Sequence, residues 1–340
     1  MRIVIVTDAW HPQTNGVVFT WTYMQRELGR LGHEVQIVHP NGHRTIGMPS
    51  YPEIRLSTEP GRIIRAALAE APDRLHIATE GPLGLAARRH ALARGWQFTT
   101  SYHTKFPEYV HARVRIPLAW TYTLMRRFHR PSRAVLAPTK AMVDELRGWG
   151  FAQAQVWGRG VDQDVFQPGA RDALDLPRPI FMNIGRVAVE KNLEAFCELD
   201  LPGSKVVVGD GPARARLQRQ YPRVHWLGMV NHAQLAPLYR AADVFVFPSR
   251  TDTFGLVLLE AMACGTPVAA YPVTGPIDVV PPRGGVLSED LTAACRAALT
   301  LDRNEVAALA RNASWQQVAR DLLAQMQHTL PKRSALRSAA

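Results

Sequence analysis

Hydrophobic positions along this chain gather into short runs rather than strict alternation. Ile3–Val6, Val35–Val38, Leu75–Ala78 and Ala134–Ala137 are β-rich, and stretches of helical periodicity such as Val17–Leu31 separate them. That order predicts a parallel sheet covered by helices on both faces. The same rhythm restarts at Ile180–Ile184 and continues through Lys205–Val208, Val224–Leu227, Val244–Phe247 and Pro267–Ala270. Two doubly wound α/β units in tandem are therefore expected. Between them, Gly158–Asp162 and Phe166–Gly169 are punctuated by Gly and Pro without an apolar period, which places the first domain over 1–165 and the second over 170–310. Open sheets of this class bind ligands beyond the carboxyl ends of their strands, so a cleft between the domains is expected and the motifs that follow strands carry the chemistry.

Composition narrows this picture. A length of 340 residues is too great for one ordinary core and ample for two. With 46% hydrophobic and 20% charged residues, and no run near the roughly 20 apolar residues of a membrane span, the expectation is a soluble or peripheral protein. The apolar run in MRIVIVTDAW stops at Asp8, too early for a signal peptide, and reads as the first strand of a cytoplasmic protein. Cys197, Cys264 and Cys295 are odd in number and lack CxxC spacing, so neither a disulfide framework nor a zinc site is indicated. The net charge of +11 admits an anionic donor, an anionic membrane surface or nucleic acid. Spread over both halves and unaccompanied by a nucleic-acid motif, it argues against the last.

Two segments of the second half stand out. Strand Ile180–Ile184 runs into Gly185-Arg186-Val187-Ala188-Val189-Glu190-Lys191-Asn192, ahead of an expected helix. The glycine allows a tight exit, and Arg186 and Lys191 bring two cations to a helix start, where free N–H groups and the dipole favour a diphosphate. Taken alone, the segment also reads as two surface cations on a loop. After Val244–Phe247 a loop acid, Asp252, precedes an apolar helix that carries Glu260 in its interior. A carboxylate among Leu258, Leu259, Ala261 and Met262 needs a partner, and a vicinal diol is a natural one. The N–H groups of Gly255, Leu256 and Val257 would extend the diphosphate cradle. The alternative is a stray carboxylate reaching solvent.

The GRVAVEKN string at 185–192 and the acid pair Asp252 and Glu260 leading into EAMACGTPV resemble the retaining GT-B glycosyltransferases of family four. Gly209-Asp210-Gly211-Pro212 and AADVFVFPS over 241–249 add to the likeness, which covers Met1 to about Val280. The resemblance implies two Rossmann-like domains facing a central cleft, with a C-terminal helix near 313–330 joining the first. It implies that Arg186 and Lys191 neutralise the donor diphosphate and that Glu260 accepts hydrogen bonds from the ribose. Asp252 lies at the donor sugar, where the family usually has Glu, and the backbone at Val230 receives the base. In the first half, Gly16 lies in the turn that approaches the diphosphate, with Asn15 where many members have a second glycine. His103, at the end of strand Gln97–Ser101, lines the reaction centre, and His11 is the weaker alternative. A turn glycine without a ligand and a structural histidine remain the plain readings of Gly16 and His103.

The implied reaction retains anomeric configuration by front-face displacement, the leaving diphosphate helping to deprotonate the acceptor. Charge neutralisation by the protein's own cations makes a catalytic metal unnecessary in this reading, and neither metal nor cofactor is expected. In the first domain, Val110–Arg133 interleaves Arg113, Arg115, Arg126, Arg127, Arg130 and Arg133 with Ile116, Leu118, Trp120, Tyr122, Leu124, Met125 and Phe128. It reads as one helix lying on an anionic bilayer, or as an ordinary amphipathic core helix. Compact size and the Ser249–Gly255 string are similar to bacterial sulfoquinovosyl, glucosyl and glucuronosyl diacylglycerol synthases. Transfer from a UDP-sugar to diacylglycerol at the inner membrane is thus expected, with the GDP-mannose-dependent α-mannosyltransferases as the main alternative. A sugar-nucleotide epimerase and a non-catalytic sensor are the alternatives outside transfer.

Overall fold

The computed structural model describes residues 1–13, 15–48, 51–326 and 328–330. They form two compact units, one made of Met1–Pro138, Val143–Gly158 and the chain from Gln316 onward, the other of Thr139–Met142 and Arg159–Trp315.

In the first unit, strands β1 (Arg2–Val6), β2 (Glu34–Val38), β3 (Thr45–Met48), β4 (Tyr51–Ser57), β5 (Arg74–Ile77), β6 (Thr99–Ser101), β7 (Val135–Ala137) and β8 (Ala154–Val156) interleave with helices α1 (Gly16–Arg30), α2 (Pro60–Ala67), α3 (Pro82–Ala93), α4 (Phe106–Val114), α5 (Leu118–His129) and α6 (Lys140–Gly148). Six strands make a parallel sheet in the order β2-β1-β5-β6-β7-β8, while β3 and β4 form a separate antiparallel pair. Ile3 to Val6 are wholly buried, as a central strand covered on both faces requires. Asp8, just beyond β1, accepts hydrogen bonds from Leu83 N (2.8 Å), Gly84 N (3.3 Å) and Thr79 Oγ1 (2.8 Å). It thereby holds the first turn of α3 against β1. Burial pushes its carboxyl above the ordinary range, and those hydrogen bonds act the other way.

The second unit repeats the plan with β9 (Ile180–Ile184), β10 (Ser204–Val208), β11 (His225–Gly228), β12 (Val244–Phe247), β13 (Val268–Ala270) and β14 (Gly285–Leu287). Its helices are α7 (Leu193–Cys197), α8 (Arg214–Gln220), α9 (His232–Ala241), α10 (Leu256–Ala263), α11 (Pro276–Val279), α12 (Leu291–Ala298) and α13 (Arg303–Ala310). The sheet is parallel throughout, in the order β11-β10-β9-β12-β13-β14. Helix α14 (Trp315–Gln325) then returns the chain to the first unit. There Trp157 Nε1 donates to Val318 O (3.1 Å), Gln325 Nε2 to Val156 O (2.9 Å) and Gln97 N to Thr329 O (2.7 Å).

Val110–Arg133 is not one helix. Arg115 takes a left-handed conformation (φ 58°) and ends α4, and Pro117 starts the next segment. A residue before proline is biased away from the α region, so Ile116 could not have continued the helix. Tyr122, Met125 and Phe128 pack into the core, whereas Ile116, Trp120 and Leu124 are exposed. The side chain of Arg113 lies outside the described residues.

Candidate active site

Four loops leave the carboxyl ends of β9, β10, β11 and β12, and hydrogen bonds stitch them together. Val187 N donates to Asp210 O (2.9 Å), Ala213 N to Val187 O (3.0 Å) and Gly209 N to Gly228 O (2.8 Å). Asn192 Nδ2 reaches Pro248 O (3.1 Å), and both Ser249 Oγ and Thr251 Oγ1 donate to Glu190 O (3.3 Å each). At Gly209 (φ 130°) a Cβ would stand 1.9 Å from Gly185 O, so the loop that starts at Gly185 can pass only because residue 209 has no side chain.

Arg186 is half-buried on this loop, and Lys191 closes a single 3-10 turn, Val189–Lys191, rather than opening a helix directly. Asn192 follows in a left-handed conformation (φ 52°), and only then does α7 begin. Lys191 Nζ donates to Asp252 Oδ1 at 2.5 Å. The other oxygen, Asp252 Oδ2, is buried and has no hydrogen-bond partner among the described residues. A buried carboxylate oxygen without a donor is costly, so this atom is ready to accept from a ligand hydroxyl.

Helix α10 carries the remaining second-unit residues in succession. Gly255 caps it in a left-handed conformation (φ 85°), with no side-chain hydrogen bond at the cap, and Leu256 and Val257 form its first turn. Glu260 sits in the helix interior, where Tyr239 Oη donates to its Oε2 at 2.8 Å. Part of Glu260 still faces solvent, yet burial raises its carboxyl to about 7, with the Tyr239 hydrogen bond pulling the other way. Burial and the neighbouring carboxylate together hold the Tyr239 hydroxyl well above its ordinary range. Val230, just past β11, borders a cavity of about 430 Å³ with Leu227, Asn231, Gln234 and Leu238. Asn231 and Gln234 are fixed there by a reciprocal cap at the start of α9, side chain to backbone N–H at 3.1 Å in each direction.

Gly16 and His103 belong to the first unit. Gly16 is exposed at the start of α1, but Asn15 Oδ1 already accepts from Val17 N (3.0 Å) and Val18 N (3.1 Å). Asn15 therefore acts as the helix cap in the place where many members of the resembled family have a second glycine. His103 follows β6, and its Nε2 accepts from Trp21 Nε1 at 3.1 Å. His11 Nε2 pairs instead with Thr22 Oγ1 at 3.0 Å. Tyr239 and Trp21 were not legible as site residues: each lies on a helix remote in sequence from the residue it supports.

Residues 178–304 match the family model described as Glycosyl transferases group 1, and residues 14–165 match Glycosyltransferase Family 4. Over 318 residues the chain is 32% identical to the GDP-mannose-dependent α-mannosyltransferase of Mycobacterium tuberculosis, covering 84% of this chain and 83% of the relative. The chain belongs to the family 4 glycosyltransferases. This glycosyltransferase is also 26% identical over 313 residues to the α-monoglucosyldiacylglycerol synthase of Streptococcus pneumoniae, covering 80% of this chain and 71% of the relative. Its fold is that of GT-B glycosyltransferases: a sucrose-phosphate synthase structure from Thermosynechococcus elongatus superposes with a TM-score of 0.74 at 21% identity, over 95% of this chain and 97% of the other.

Proposed function

We propose that this glycosyltransferase moves a hexose or hexuronic acid from a UDP-sugar to diacylglycerol, with retention of configuration and without a metal. The donor half of the reading rests on the buried, unpartnered Asp252 Oδ2 beside Lys191, an acceptor waiting for a sugar hydroxyl. Glu260, steadied by Tyr239, takes the ribose hydroxyls, and the backbone at Val230 takes the base. Arg186, Lys191 and the N–H groups at the start of α10 spread the charge of the departing diphosphate, which removes the acceptor proton.

The acceptor half rests on α5. Trp120 is 74% exposed and Leu124, one turn later, is 64% exposed, with Arg127 exposed a turn beyond. An apolar pair next to arginines suits the interface of an anionic bilayer. No helix among the described residues is long and apolar enough to cross a membrane, so contact is peripheral in this reading. The diacylglycerol named for the pneumococcal relative supports the same acceptor.

A second reading, transfer from GDP-mannose, is favoured by the 32% identity to the mycobacterial mannosyltransferase. One assay separates them. Purified protein is incubated with anionic vesicles containing diacylglycerol and with UDP-glucose, UDP-glucuronate, UDP-sulfoquinovose or GDP-mannose, with and without EDTA. An α-linked glycolipid from a UDP-sugar, undiminished by EDTA, is the expected product. Mannolipid from GDP-mannose alone would establish the second reading, and no glycolipid from any donor would reject the lipid acceptor.

A further inference from the structure

Helices α2 and α3 pack against each other in the first unit, and a cavity of about 370 Å³ opens between them. Its floor is apolar, formed by Pro60, Ile64, Pro82 and Ala86, and Arg65, Arg89 and Arg94 line it while remaining exposed. Neither helix carries an acid: Pro60–Ala67 holds Arg62 and Arg65, and Pro82–Ala93 holds Arg88 and Arg89. Glu59, just before α2, is engaged by Arg62 at 2.8 Å. Among the described residues no oxygen accepts from the guanidinium of Arg65 or Arg89, and Arg94 lies over the Trp96 ring at 5.7 Å.

This charge is felt at the buried side of the cavity. His90 lies there, and its Nε2 pairs with Leu68 O at 3.0 Å. Burial first, then Arg94 and also Arg65, push its imidazole below the ordinary value, against the pull of that hydrogen bond. Next along α3, Arg88 spends its guanidinium on Phe128 O (2.8 Å) and Arg127 O (3.0 Å). Burial, followed by the charges of Arg127 and Arg89, lowers it as well. Like charges are thus gathered without a counter-charge, and an anion bound among them would relieve their repulsion.

We propose that the groove between α2 and α3 is a second ligand site of this protein, built for a phosphate ester. The planar arginine forks take the phosphate oxygens in pairs, and the organic part of the ester lies on the apolar floor. A phospholipid head group and a soluble phosphorylated metabolite share this chemistry. None of these residues belongs to the candidate active site, so the inference does not rest on the proposed donor or acceptor.

The test is calorimetric titration of the full chain with inorganic phosphate, glycerol 3-phosphate and dihexanoylphosphatidylglycerol, the lipid kept below its micelle concentration. Each is repeated on Arg65→Gln with Arg89→Gln and on a control that removes two exposed charges from the second unit, Arg219→Gln with Arg223→Gln. Both double variants should melt within about 2 °C of the unaltered protein, since all four side chains are exposed. At least one ester is expected to bind about tenfold tighter than inorganic phosphate and to raise the melting temperature. That binding should weaken at least tenfold in the groove variant and less than twofold in the control. Preference for the lipid over glycerol 3-phosphate would assign the site to a phospholipid, and equal affinity would assign it to a soluble ester. Inorganic phosphate binding as tightly as both esters, no binding by any of the three, or equal losses in the two double variants would overturn the proposal. The readout needs no turnover, so it stands or falls apart from the proposed function.

Discussion

Lys191 Nζ lies 2.5 Å from Asp252 Oδ1, so the cation expected at the donor diphosphate is held by the acid expected at the donor sugar. In the proposed donor site this pair would couple the two ends of the donor. On that proposal, a diphosphate drawing on Lys191 would loosen its grip on Asp252 and leave both carboxylate oxygens to the sugar. Removing the acid while keeping its shape should therefore act on turnover far more than on nucleotide binding. For Asp252→Asn, kcat is expected to fall about 100-fold, a loss typical of one transition-state contact. Affinity for the nucleoside diphosphate, measured by calorimetry, should stay the same or tighten as Lys191 is released. Asp252→Glu should change the ranking of donors more than the total rate, which a donor panel would reveal.

If Glu260 takes the ribose as proposed, nucleotide binding should depend on pH. Its carboxyl is raised from 4.5 to about 7 in the folded protein. Between those values the folded chain holds a proton that the unfolded chain has lost, so stability falls as pH rises through this window, by on the order of 2–3 kcal/mol. Ribose hydroxyls donate to the ionised form, so nucleotide affinity should instead rise as pH climbs through about 7. Glu260→Gln can still accept from Tyr239. It should flatten both trends, read out by urea melts and calorimetry at pH 5 and pH 8.

Gly209→Ala should be among the most damaging single-methyl changes in the second unit. The added Cβ would meet a backbone oxygen 1.9 Å away at φ 130°, so the loops after β9 and β10 have to separate. A loss of about 2–4 kcal/mol is expected from denaturant melts. Donor affinity should drop with it, because the displaced loop carries Arg186 and Lys191. A variant as stable as the original would show that these loops tolerate separation.

On α5 the exposed and buried positions make opposite predictions. Trp120→Ala with Leu124→Ala should leave the melting temperature within about 2 °C, because neither side chain is in the core. Co-sedimentation with anionic vesicles should weaken at least tenfold, since each side chain buried in the interface contributes roughly 1.5–3 kcal/mol. Met125→Ala should do the reverse, lowering stability by about 2–5 kcal/mol through a core cavity.

Much of the fold was legible because its strands are buried on both faces and announce themselves as apolar runs. The runs at Ile3–Val6 and Ile180–Ile184 fall within β1 and β9, and the two-unit plan follows from the restart of the rhythm. The antiparallel pair β3–β4 and the three-residue edge strands β8 and β14 were not anticipated, since pairs outside the main sheet and very short strands leave little periodic signal. The helix drawn through Val110–Arg133 failed at Arg115 and Pro117, where local backbone preference overrode the amphipathic pattern.

By itself the sequence determined the residue types of the candidate site and their order along the chain, because cations and glycines placed directly after strands form a local pattern that can be read from sequence. What only the tertiary structure decided is which of these groups have partners. Lys191 finds Asp252 from 61 positions away, Glu260 finds Tyr239 from 21, and His103 finds Trp21 from 82. Such pairings are set by strand order and by the way loops cross at the ends of the sheet, and no local pattern encodes them.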